Sequence, residues 1–155
     1  MYRLFNGSLC ADNQISSYSV IKPLIAPCLK INPSPKWNFS RDGFLIMLSS
    51  HEFLLLPEQV RKISHSCYPN CGISKTLDLV ALRDILEGEP LSIDYSTMFT
   101  GNLPGFHCSC SLVGCRNKIL GINLLPLRFQ EKYLLSGLIP HPVLLLLDRE
   151  LRKAG

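Results

Sequence analysis

Several familiar features are missing from this chain of 155 residues. No apolar run approaches the roughly eighteen residues that a membrane-spanning helix needs, and Val143–Leu147 is far too short. Charged residues make up 18% of the chain and a single Trp is present. The net charge is only +4, and the Lys and Arg residues are scattered. That is no electrostatic footprint for nucleic acid, so neither nucleic acid nor a membrane is expected as a direct partner. There is no internal repeat and no low-complexity tract, which argues against a solenoid or a disordered chain. A Ser-His-Ser at 64–66 hints at a hydrolase, but no Gly-x-Ser-x-Gly elbow accompanies it. The opening residues, Met1 to Gly7, turn polar too early for a signal peptide, so an intracellular protein is expected.

Apolar residues reach 46%, a globular balance for one domain with a modest core. The first 43 residues are poorly patterned and broken by Pro23, Pro27, Pro33 and Pro35, leaving room for short edge strands such as Tyr18–Ile21. Strands are expected over Phe44–Leu48, Leu77–Arg83 and Leu91–Tyr95. A short helix is expected from Pro57 to Ile63, and others from Pro126 to Leu138 and from about Pro142 to Lys153. Arg149, Arg152 and Lys153 read as a solvated helix end. The fold class is α+β, mostly β.

Seven cysteines is an odd number, and in a reducing compartment thiols or metal ligands are expected before disulfides. Cys108-Ser109-Cys110 places two thiols on one side of an extended segment, and Cys115 returns after Gly114, which permits a tight turn. Three soft thiolates in so short a span favour tetrahedral zinc, and a structural site needs a fourth ligand. Cys67 is the first choice, with Cys71 and His107 behind it. Cys10, Cys28 and Cys71 are then left as small buried thiols.

The segment Ser64-His65-Ser66-Cys67-Tyr68-Pro69-Asn70 is built to be rigid. Pro69 fixes one φ and biases Tyr68 toward extended geometry, while Ser66 and Asn70 can bond nearby backbone groups. This segment resembles the Asn-His-Ser-Cys-x-Pro-Asn motif of SET-domain protein-lysine methyltransferases. Gly88-Glu89-Pro90-Leu91-Ser92-Ile93-Asp94-Tyr95 resembles the family's Gly-Glu-Glu-Leu-x-x-Asp-Tyr strand, and Cys108, Cys110, Cys115 and Arg116 resemble its post-SET tail. The three occur in the family's order. Two departures stand out: Ser64 replaces the motif's Asn, and no Gly-x-Gly hairpin precedes residue 64.

The resemblance implies a SET-type β-fold with a pseudoknot over residues 1–103, a zinc-bound post-SET segment over 104–121 and a helical tail over 122–155. It implies S-adenosylmethionine as cofactor, touched by Ser64, His65 and Phe106. It implies one structural zinc on Cys67, Cys108, Cys110 and Cys115, and Tyr95 lining the methyl-transfer channel. Ile93, two residues before that tyrosine and expected on the same strand face, stands where the family tunes the number of methyl groups added. Asp94 reads as structural. The substrate would be a protein with a target lysine, histones among the candidates. A zinc-stabilised binding module that keeps the fold without the cofactor is the other reading.

Overall fold

The computed structural model describes residues 2–5, 8–23, 29–31, 44–101 and 107–154. Among them, short strands group into four small sheets. Strands β1 (Tyr2–Phe5) and β2 (Ser8–Ala11) form an antiparallel hairpin in which Phe5 faces Ser8. Strand β3 (Val20–Pro23) pairs with β9 (Asp78–Ala81), which pairs in turn with β8 (Cys71–Ile73). A third sheet sets β6 (Phe53–Leu55) between β4 (Leu29–Ile31) and β5 (Leu45–Met47). The fourth is the one that matters for the site. It joins the two-residue strands β7 (Ser64–His65) and β10 (Ser92–Ile93) in parallel, Ser64 opposite Ser92 and His65 opposite Ile93.

Helix α1 (Glu58–Arg61) opens after Pro57, as expected of a residue without an amide proton, and leads straight into β7. Helix α2 (Leu127–Leu135) follows Pro126 and ends before Gly137, whose φ of +66° turns the chain. Helix α3 covers His141–Ala154. These helices join the same core as the strands: Tyr133, Leu138, Ile139 and Val143 are buried with Phe44, Ile73, Leu79, Ile93 and Phe99. Gly72 makes room for the tail, since a Cβ there would lie 2.9 Å from the Leu138 side chain. The turn after β8 is also stitched to the tail, through Lys75 N–H to the Gly137 carbonyl and His141 N–H to the Lys75 carbonyl.

The α+β class with short strands and C-terminal helices agrees with expectation. Two differences are instructive. The hairpin β1–β2 lies in the stretch read as poorly patterned. The strand expected over Leu91–Tyr95 stops at Ile93, because Asp94 caps a 3-10 turn over Tyr95–Met98. Its carboxylate accepts from Ser96 N–H at 3.0 Å, and its carbonyl accepts from Thr97 N–H at 3.2 Å. An Asp that satisfies local amides in this way competes with strand pairing and wins where the partner strand is two residues long.

The cysteine segment leaves the body and returns to the same place. Gly121 N–H donates to the Gly101 carbonyl at 2.8 Å. Only glycine fits there, as a Cβ on residue 121 would meet the Thr100–Gly101 backbone at 2.5–2.7 Å.

Candidate functional site

The rigid turn at 64–70 is held as its residues suggest. Ser66 Oγ accepts from Tyr68 N–H at 3.1 Å. Asn70, only 1% exposed, satisfies its whole amide. Its Nδ2 donates to Glu89 Oε1 at 3.0 Å and to the Pro90 carbonyl at 2.9 Å, while Oδ1 accepts from Ser92 N–H at 2.8 Å. One side chain thereby locks the first motif onto the second. Glu89 is fixed from its other side by Arg83, whose guanidinium forks across both carboxylate oxygens at 2.5 and 3.2 Å. Arg83 first, then the amides of Asn70 and Leu86, hold Glu89 down at a pKa of about 2.

Parallel pairing of β7 with β10 sets His65 beside Tyr95. The Tyr95 amide donates to His65 Nδ1 at 3.2 Å. Nδ1 is therefore the unprotonated nitrogen, and Nε2 carries the proton toward Cys67 Sγ, 3.6 Å away. Burial pushes His65 down to about 4, outweighing the opposite pull of Asp94, so the ring is neutral. The Tyr95 ring stacks on Phe44 at 4.3 Å between centroids and lies 5.3 Å from the His65 ring. Its hydroxyl donates to the Ile63 carbonyl at 2.6 Å. Burial raises the phenol to about 12, which keeps it protonated. The arrangement is a partly buried tyrosine whose hydroxyl is fixed by the bond it donates.

Cys67, Cys108, Cys110 and Cys115 bring their sulfurs within 4.8 Å of one another, and Cys67 and Cys108 are 3.6 Å apart. A tetrahedral zinc with bonds of about 2.3 Å would separate its sulfurs by about 3.8 Å, so the four fit the ion and leave no open position. Backbone N–H groups aim at the sulfurs: Arg116 at Cys67, Cys110 at Cys108 and Asn117 at Cys115, each at 3.4 Å. Such donors suit thiolates. The knuckle that gathers them turns through Ser111, Gly114 and Asn117, all with positive φ. Gly114, at +81°, also lies under Tyr68, whose hydroxyl would be 2.9 Å from a Cβ there. Cys71 is elsewhere: it is buried on β8, and burial raises its thiol to about 12. His107 likewise stands outside the cluster and bridges to Lys118. Cys10 is buried, and Cys28 and Phe106 lie outside the described residues.

Asp94, 2% exposed, is the hinge between these parts. Arg116 Nη2 donates to both of its oxygens at 2.7 Å, and Tyr133 of α2 donates to Oδ2 at 2.6 Å. Burial opposes the charge on Arg116, but the Asp94 carboxylate outweighs it and keeps the guanidinium protonated. Burial, reinforced by the carboxylate, keeps the Tyr133 phenol protonated. The structural role expected of Asp94 is thus filled. Tyr133, Phe44 and the Ile63 carbonyl were not singled out in the sequence, where each reads as ordinary core or backbone. Ile93 is 1% exposed, and its carbonyl accepts from Ser66 N–H at 3.0 Å. It does not share a strand with Tyr95, because the strand ends before the capped turn. Ser64 is exposed at the start of β7.

The sequence profile described as SET domain matches residues 8–96, which carry strands β2 to β10, the rigid turn and Tyr95. The chain is also similar to a protein of Drosophila melanogaster named histone-lysine N-methyltransferase ash1, with 37% identity over 68 residues, 39% of this chain. It spans only 3% of that relative's length. Among the described residues, no helix is long and apolar enough to cross a membrane.

Proposed function

The chain belongs to the SET-domain family, and from that premise we propose that it is an S-adenosylmethionine-dependent protein-lysine N-methyltransferase with one structural zinc. The observation that carries the reading is the setting of Tyr95: a phenol clamped between Phe44 and His65, its hydroxyl anchored on the Ile63 carbonyl. Methyl transfer to an amine is a direct displacement and needs no strong general base. It needs a neutral nitrogen, in line with the methyl group, in a place without water. A narrow apolar channel desolvates the lysine and favours its neutral form. The Tyr95 oxygen, with its O–H engaged in a hydrogen bond to the Ile63 carbonyl, can accept from the lysine N–H and aim the nitrogen. Oxygen dipoles set beforehand cost no reorganisation at the moment of reaction.

S-adenosylmethionine, when bound, supplies the methyl group. Ser64, His65 and Phe106 are the residues assigned to hold it. His65 is suited to the task because its tautomer is fixed by the Tyr95 amide. Zinc on Cys67, Cys108, Cys110 and Cys115 would clamp the post-SET segment, residues 104–121, against residues 1–103, with 122–155 as a helical tail packed behind. Ile93 is assigned to product state. A protein lysine is the acceptor, and histone lysines are the first to try, given the name of the ash1 relative.

The test pairs calorimetry of S-adenosylmethionine binding with transfer of a labelled methyl group to a panel of histones and lysate proteins. Binding with labelling that is lost in Tyr95→Phe is expected. Zinc-loaded, folded protein that binds no cofactor would overturn the enzyme reading and leave a zinc-stabilised binding module.

A further inference from the structure

We infer that Arg116 and Tyr133 are positioning residues for Tyr95: through Asp94 they transmit the state of the cysteine cluster, and the seating of helix α2, to the tyrosine. The inference rests on the proposed role of Tyr95, but its test does not require methyl transfer.

The chain of contacts is continuous. Arg116 follows Cys115 directly and faces both the Cys67 sulfur and the Asp94 carboxylate. Its backbone N–H and its Nε both lie 3.4 Å from Cys67 Sγ, and its Nη2 straddles the Asp94 carboxylate at 2.7 Å. Asp94 caps the turn that begins at Tyr95, through Ser96 N–H, and Thr97 Oγ1 donates to the Asp94 carbonyl at 2.9 Å. Tyr133 holds the second carboxylate oxygen from the opposite side at 2.6 Å. The Asp94 side chain is therefore fixed by three separated stretches: the capped turn, the cysteine segment and helix α2. Tyr95 follows it by one residue and inherits its position.

Charge explains why the link responds to the cluster. Four thiolates on a zinc ion carry a net charge of −2, and a guanidinium against one sulfur offsets part of it. Among the described residues, Arg116 Nη1 is buried without a hydrogen-bond partner. Phe129 of α2, 5.5 Å below the guanidinium, fills the remaining side.

The experiment uses the full chain loaded with zinc or with cobalt. Metal affinity is read by competition with a chromophoric chelator, the thiolate-to-cobalt absorption band reports the Cys67 sulfur, and NMR of ring-labelled tyrosine reports Tyr95, assigned with Tyr95→Phe. Arg116→Met is expected to weaken metal binding about 10–100-fold, the usual effect of losing a partner behind a metal ligand. It should also shift the cobalt band and move the Tyr95 resonance. Arg116→Lys, which keeps the charge, should recover part of the affinity but not the Tyr95 resonance. Tyr133→Phe should move that resonance while leaving metal affinity within about twofold. If Arg116→Met does not fold, Arg116→Lys and Tyr133→Phe still decide. A Tyr95 resonance unmoved in both, or an unchanged cobalt band in the arginine variant, would overturn the link. A chain that methylates nothing in any assay would sink the proposed activity and leave these readouts standing.

Discussion

The Tyr95 hydroxyl and the Ile63 carbonyl oxygen lie 2.6 Å apart, joining the first residue of a 3-10 turn to the residue that precedes β7. The bond fixes where the phenol oxygen's remaining lone pairs point. Tyr95→Phe should keep the fold, with the Phe44 stacking intact, and lose roughly 1 kcal/mol of stability from the missing hydrogen bond. Methyl transfer should fall about a hundredfold, on the order of 3 kcal/mol in the barrier. Single-turnover assays beside a denaturation curve check both. Wild-type rates in the phenylalanine variant would remove Tyr95 from the chemistry.

One zinc per chain is expected in protein prepared without chelator. Cys67→Ser should reduce it sharply, whereas Cys71→Ser should leave it untouched, because Cys71 is buried on β8 outside the cluster. Elemental analysis checks the stoichiometry. Since zinc binding can supply roughly 10 kcal/mol or more to the folding of small sites, chelation should loosen residues 107–118 and weaken cofactor binding. Full zinc occupancy in Cys67→Ser would refute the assignment.

Glu89 gives a pH dependence with a definite sign. Its pKa falls from 4.5 to about 2 on folding, through Arg83 above all. A depressed carboxyl stabilises the fold at every pH above its unfolded value, and that contribution fades as pH drops from about 4.5 toward 2. Thermal unfolding of the wild type should weaken across that window. Glu89→Gln should be less stable than wild type at pH 7, and the gap should close near pH 2. A gap independent of pH would show that the Arg83–Glu89 fork contributes nothing through charge.

Ile93 carries a prediction about product. Lacking a hydroxyl, it cannot hold a water or crowd the nitrogen as a tyrosine could. On the proposed activity the chain should therefore produce di- or trimethyl-lysine, and Ile93→Tyr should shift it toward the monomethyl product. Mass spectrometry of a methylated substrate with excess cofactor is the measurement. A wild type that stops at one methyl group would refute the idea.

Much of the site was legible because its residues are tied to covalent spacing. The C-x-C-x4-C segment and the rigid turn at 64–70, which holds Cys67, are both local properties. Pro57 and Pro126 likewise marked two helix starts. What stayed hidden depends on long-range packing. The hydroxyl of Tyr133 reaches Asp94 across thirty-nine positions, and nothing in an amphipathic helix pattern distinguishes that tyrosine from a core aromatic. The hairpin β1–β2 did leave a signal in Asn6-Gly7, a dipeptide favoured between paired strands, but few alternating residues surround it. The short β10 misled in the other direction: Leu91–Tyr95 has the composition of a strand, and only the capping bonds of Asp94 end it early.

The contact between Gly101 and Gly121 makes the cysteine segment a loop tied off at its base, so in principle it can open as one cooperative unit while the body stays folded. Arg116 changes the energetics of that opening. It withdraws with the loop and leaves the Asp94 carboxylate buried without its cation, a penalty of several kcal/mol for an unpaired internal charge. An excursion that would otherwise fray like any surface loop is thereby coupled to the core, and its exchange with solvent is paced by the aspartate beside Tyr95.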